Sequence, residues 1–133
     1  MSADAFFDSN ILLYSVSSDS IKAARAMALI SAGGVISVQV LNEFANVSRR
    51  KYDVSFDKMR KALSAFRELC AVRPLDVETH DTALDIAERC RFDMYDSLIV
   101  ASALRAGCKT LYTEDLQHGQ VVDGLTIRNP FIS

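Results

Sequence analysis

Apolar residues in this chain fall into short unbroken runs and into longer segments where they recur at three- and four-residue intervals. Ala3 to Asp8 (ADAFFD) is a run of strand length, and Asn10 to Ser15 makes a brief helical turn after it. Ile21, Ala24, Met27, Ala28 and Ile30 keep helical spacing, with Asp19 or Ser20 as the cap and Gly33 and Gly34 as the stop. Val35 to Ser37 reads as a second strand. A helix through Val38, Leu41, Phe44, Ala45 and Val47 follows it and ends in Arg49, Arg50 and Lys51, basic residues that suit a helix C-terminus. Ser55 caps the next helix, with Met59, Ala62, Leu63, Phe66 and Cys70 on one face and Pro74 closing the element; Ala71 to Arg73 is a minor strand. The spacing then predicts helices over Asp76 to Cys90 and Asp93 to Ala106, with Gly107 placed for a left-handed cap. Cys108 to Tyr112 and Leu125 to Arg128 complete the strands. Short strands alternating with helices define an α/β class, with a short, mostly parallel sheet of four to five strands covered on both faces.

Composition narrows this to one domain over residues 1–133. Half of the residues are hydrophobic and 24% are charged, while five Gly and two Pro leave no material for a repeat or a flexible linker. No apolar stretch approaches the ~20 residues that span a bilayer, and the start lacks the basic region of a signal peptide, so a cytoplasmic protein is expected, with no membrane partner. Cys70, Cys90 and Cys108 are odd in number and widely separated, which suits reduced thiols better than disulfides or zinc ligands. The net charge of -2 conceals a split: Arg49 to Arg73 holds eight basic residues against three acidic ones, a local +5. That stretch is either a solvated helix face or a phosphate-contacting one.

In a parallel sheet, strand C-termini and the N-termini of the helices that follow share one rim. Four acidic residues fall there. Asp8 ends the first strand, Asp115 follows the strand to Tyr112, and Asp96 lies in the first turn of its helix. Glu43 is about 7 Å down its helix at ~1.5 Å per residue, yet helical side chains lean back toward the N-terminus and a long one reaches the rim. Two unit negative charges about 4 Å apart repel by roughly 4 kcal/mol at an effective dielectric of about 20, so such a cluster calls for a cation. All-oxygen ligands favour Mg²⁺ or Mn²⁺, and neither His80 nor His118 falls in a zinc-type motif. Metal-assisted phosphoryl transfer is the chemistry this suggests. Taken singly, Asp8 or Asp96 can instead be a helix cap, Asp115 part of a turn, and Glu43 a surface residue. Asp93, Glu114 and Asp123 compete for the same roles but rank lower, Asp93 because it precedes its helix and Glu114 because it alternates away from Thr113 and Asp115. Asn10 and Thr113 are candidates to support ligand waters.

The blocks FFDSNILLYSV, ISVQVLNEF, YDSLIVASAL and KTLYTEDLQHG resemble those of PIN-domain ribonucleases, and their order and spacing are most similar to the small VapC-like toxins of toxin–antitoxin pairs. The resemblance implies a three-layer α/β/α sandwich and a Mg²⁺- or Mn²⁺-dependent endoribonuclease. It makes Asp8, Glu43, Asp96 and Asp115 the acidic quartet, with Asn10 and Thr113 as polar neighbours of the metal. It further implies an RNA substrate, a homodimer and a cognate antitoxin. Lys58, Arg60 and Lys61, in the basic stretch, are the candidate RNA contacts. Three other readings stay open. A catalytically silent binding module on the same fold is the main rival. A haloacid-dehalogenase-type phosphatase would want a second acid where Asn10 stands, and a nucleotide binder would want a glycine-rich phosphate loop that is absent.

Overall fold

Phe6 and Phe7 are neighbours in strand β1 (Ala5–Phe7), so their side chains point to opposite faces of the sheet, and both are fully buried. The sheet is therefore covered on both sides at its centre. The computed structural model describes residues 4–132, and Ala3, assigned to the first strand from the sequence, lies outside them. After β1 come α1 (Ser9–Ser15), α2 (Ser20–Ser31), β2 (Gly34–Ser37), α3 (Val38–Tyr52), α4 (Phe56–Leu69) and β3 (Cys70–Arg73). The chain continues through α5 (Val77–Cys90), α6 (Met94–Arg105), β4 (Thr110–Tyr112), β5 (Val121–Val122) and β6 (Leu125–Arg128). The strand order is β3-β2-β1-β4-β6-β5, with every pairing parallel except β5 with β6. Helices α1 to α4 pack on one another, α5 packs on α6, and the result is an α/β/α sandwich.

Six helices among the described residues each start at an Asp or Ser whose side chain accepts a backbone N–H: Asp8, Asp19, Ser37, Ser55, Asp76 and Asp93. Each such bond satisfies a donor the first turn would otherwise leave open, which is why the helix starts were legible in the sequence.

Four expectations need correction. Among the described residues the sheet has six strands rather than four to five, because Asp123 and Gly124 both adopt positive φ (49° and 88°) and close a tight β5–β6 hairpin. Cys70 does not continue α4. That helix ends at Leu69, and Cys70 to Arg73 pair in register with Gly34 to Ser37, so sheet pairing ends the helix before Pro74. Gly34 belongs to β2 rather than to a helix stop: a Cβ there would lie 2.6 Å from the Phe7 ring and 2.8 Å from the Ala5 carbonyl oxygen. The buried face of α2 also differs from the one its apolar spacing predicts. Ala26 and Ile30 are buried, whereas Ile21 is 80% exposed and Ala24, Met27 and Ala28 also face outward.

Candidate metal centre

The centre lies where β1 and β4 stop. The backbone N–H of Asp8 donates to the Tyr112 carbonyl at 3.0 Å, extending the β1–β4 pairing by one residue and bringing the ends of both strands level. Asp8 is buried. One carboxylate oxygen accepts the Ser9 N–H at 2.7 Å, so Asp8 also caps α1. The other accepts the Thr113 hydroxyl at 2.8 Å. Thr113 Oγ1 in turn accepts the Asp115 N–H at 3.1 Å and the Asn10 side-chain amide at 3.3 Å. The same Asn10 amide donates to Asp115 Oδ2 at 3.2 Å. Asn10 and Thr113 thus bind the first helix and the β4 loop into one frame around two carboxylates.

Asp96 enters from α6, where the Asp93 carboxylate accepts its N–H at 2.7 Å and sets the first turn. Carboxylate oxygens of Asp8, Asp96 and Asp115 all lie within 4.8 Å of one another. Glu43, on α3, stands beside this trio rather than among its closest oxygens, but near enough that all three raise its pKa. The lower-ranked acids are occupied elsewhere. Asp93 caps α6, Glu114 accepts the Tyr14 hydroxyl at 2.9 Å, and Asp123 pairs with Arg89 at 2.8 Å.

Burial pushes Asp8 up to about 6; bonds from Thr113 and Ser9 pull against that, and the Asp115 charge adds to it. Burial, then the charges of Asp93, Asp8 and Asp115, raise Asp96 to about 6. Burial followed by the Asp8 charge raises Glu43 to about 7, with Gln39 partly offsetting the rise. Glu43 Oε1 is buried without a hydrogen-bond partner. Converging hard oxygen donors that resist ionising together, and an orphaned carboxylate oxygen beside them, fit a divalent cation of the Mg²⁺ or Mn²⁺ kind.

The basic stretch splits by surroundings. Arg49 donates to the Val54 carbonyl at 2.8 Å and lies 4.7 Å over the Phe56 ring, so it closes the α3–α4 connection. Lys58, Arg60 and Lys61 are exposed on α4. Lys51 alone of these lines a cavity of about 610 Å³ that reaches Asn10 and Asp115. Two groups escaped the sequence reading. Tyr14 ties α1 to Glu114, and Lys22 lies 4.4 Å over the Tyr14 ring; no local signal marks partners so distant along the chain. Gln39 is buried and donates to the Tyr95 carbonyl at 3.3 Å, and its place in a polar series at helical spacing on α3 was the available signal.

Fold and site together define an α/β protein with a cluster of carboxylates at the carboxyl ends of its central parallel strands. Residues 5–123 match the PIN domain family model, and the chain belongs to that family. A toxin–antitoxin complex from Klebsiella pneumoniae contains a chain of the same fold, with 21% identity, a TM-score of 0.73, and 96% of this chain and 98% of that one covered. VapBC2 from Rickettsia felis, solved with a DNA fragment from its promoter, gives 18% identity and a TM-score of 0.68, covering 94% and 97% of the two chains. VapC20 of Mycobacterium tuberculosis, described as a Sarcin-Ricin loop cleaving toxin, gives 15% and 0.65, covering 81% and 87%. A comparison with curated proteins finds no match to this chain.

Proposed function

We propose that this chain is a single-domain, divalent-metal-dependent endoribonuclease that hydrolyses RNA phosphodiester bonds as the toxin of a toxin–antitoxin pair. The observation that carries this reading is the meeting of Asp8, Asp96 and Asp115 oxygens within 4.8 Å at the carboxyl rim of the sheet. These three would hold Mg²⁺ or Mn²⁺, with Glu43 as the fourth carboxylate. When bound, the cation supplies a water of lowered pKa and a counter-charge for the phosphoryl group. Thr113 and Asn10 keep Asp8 and Asp115 in place through the bonds described above. In the metal-free site burial and the Asp8 charge raise Glu43 to about 7, and a bound cation would favour its ionised form.

VapC20 as an RNA-loop-cleaving toxin supports RNA as the substrate, and the Klebsiella and Rickettsia assemblies support a cognate antitoxin. A homodimer belongs to the same reading. Among the described residues no helix is long and apolar enough to cross a membrane. The test is cleavage of RNA by the purified protein with Mg²⁺, with EDTA, and by Asp96→Asn. Cleavage is expected only for the wild type with metal. RNA binding without cleavage under every metal condition would replace this reading with a silent binding module.

A further inference from the structure

Gln39, Asn42, Glu43 and Asn46 recur at spacings of three and four along α3 and so form one polar stripe. The stripe lines one side of an open surface cavity of about 500 Å³, with Tyr95 and Leu98 of α6 and Leu75 on the other side. This volume is within the ~300–1,000 Å³ range of small-ligand pockets. The cavity adjoins the metal centre at two points: Glu43 lines it and feels the three aspartates, and Tyr95 directly precedes Asp96.

Its chemistry is selective. Two exposed carboxamides, Asn42 and Asn46, offer paired donors and acceptors, and Tyr95 presents a ring that is 70% exposed. Gln39 is 6% exposed; its amide nitrogen is engaged with the Tyr95 carbonyl, but its Oε1 is buried without a partner. No Lys or Arg lines the cavity, so a phosphate would find no counter-charge there, and a purely apolar occupant would leave the amides unpaired. A nucleobase meets both demands, with faces that stack on an aromatic ring and an edge that exchanges hydrogen bonds with amides.

We propose that this cavity is a nucleobase subsite for single-stranded RNA, in which a base next to the scissile phosphate stacks on Tyr95 and is read by Asn42 and Asn46. The assignment rests on the ribonuclease reading above and adds to it the residues that set base preference.

The experiment measures binding of fluorescein-labelled hexanucleotides of rA, rC and rU, in EDTA so that no strand is cut, to the wild type, Tyr95→Ala, Tyr95→Phe and the Asn42→Ala/Asn46→Ala double variant. Tyr95→Ala is expected to weaken the preferred hexanucleotide by about ten-fold or more. Tyr95→Phe, which keeps the ring, should retain wild-type affinity. The double amide variant should erase the difference among the three RNAs without changing the salt dependence, because neither amide neutralises a phosphate. Unchanged affinity and base preference in Tyr95→Ala and in the double variant would overturn the subsite while leaving the ribonuclease reading standing. So would a Tyr95→Ala protein that binds RNA normally but drops from dimer to monomer, which would assign this face to a second copy of the chain. A wild type that neither binds nor, with Mg²⁺, cleaves any RNA would overturn both readings.

Discussion

The Thr113 hydroxyl donates to Asp8 at 2.8 Å across 105 residues of sequence, so the ends of β1 and β4 are joined through the buried carboxylate at the centre of the candidate site. Thr113 is itself fully buried and receives two further donors, from Asp115 and Asn10. Thr113→Val preserves the shape and leaves one oxygen of a buried carboxylate without its partner. The expected loss is roughly 1–3 kcal/mol of stability. Thermal melting reads it as a fall of several degrees in Tm, and an unchanged Tm would remove Thr113 from the frame.

Asp96→Asn is the cleanest test of carboxylate crowding, because Asp8 also caps α1 and takes the Thr113 hydroxyl. Removing the Asp96 charge relieves its repulsion with Asp93, Asp8 and Asp115. In EDTA near neutral pH this variant should melt at or above the wild-type temperature, while calorimetric titration shows Mn²⁺ affinity reduced about ten-fold or more. A lower Tm together with undiminished Mn²⁺ binding would contradict a shared cation site.

The pH dependence has a defined sign. Asp8 and Asp96 rise from 3.8 to about 6 and Glu43 from 4.5 to about 7, chiefly through burial and then through neighbouring carboxylates. Between the unfolded and folded values the native state therefore holds more protons than the unfolded chain. The associated stability is fully present below the unfolded values and is lost as pH rises through the folded ones. Metal-free protein should melt higher at about pH 5.5 than at about pH 7.5, and saturating Mn²⁺ should narrow the gap by binding the ionised carboxylates. A profile indifferent to metal would argue against convergence of these acids.

On the basic surface, Arg49 and the α4 residues should separate. Arg49→Ala breaks the bond to Val54 and uncovers the Phe56 ring, so Tm falls while RNA affinity holds. Replacing Lys58, Arg60 and Lys61 with Ala should lower Tm less than Arg49→Ala, because Arg60 lies 5.7 Å over the Phe56 ring against 4.7 Å for Arg49, which also bonds Val54. The triple replacement should flatten log affinity against log salt by about 0.7 for each single-strand phosphate that these side chains neutralise. An unchanged slope would assign that face of α4 to a protein partner.

The helix starts were legible because capping is written within a few residues. Asp19, Ser55 and Asp76 cap where their side chains can reach the next open N–H, whatever the rest of the chain does. The short β5–β6 hairpin was missed, although the Asp123-Gly124 pair is a local signal for such a turn. The buried face of α2 was not legible. Ile21 and Met27 fit a helical apolar pattern as well as Ile30 does, and only packing beside α1 and α4 decides that Ala26 and Ile30 turn inward. Cys70 was ambiguous for a similar reason, since it continues the α4 spacing and becomes a strand only because β2 offers it a partner.

By itself, then, the sequence determined the alternation of strands and helices, the caps, and the four blocks that place acids at strand ends and in first turns. These follow from periodicities and hydrogen bonds that act over a few residues. Only the tertiary structure decided that Asp8, Asp96 and Asp115 meet while Glu43 stands beside them, that Asp93, Glu114 and Asp123 are held by other partners, and that the polar stripe of α3 faces Tyr95 across a cavity. The strand order β3-β2-β1-β4-β6-β5 brings these groups together, and that order is fixed by pairing between segments far apart in the chain, which no local spacing encodes.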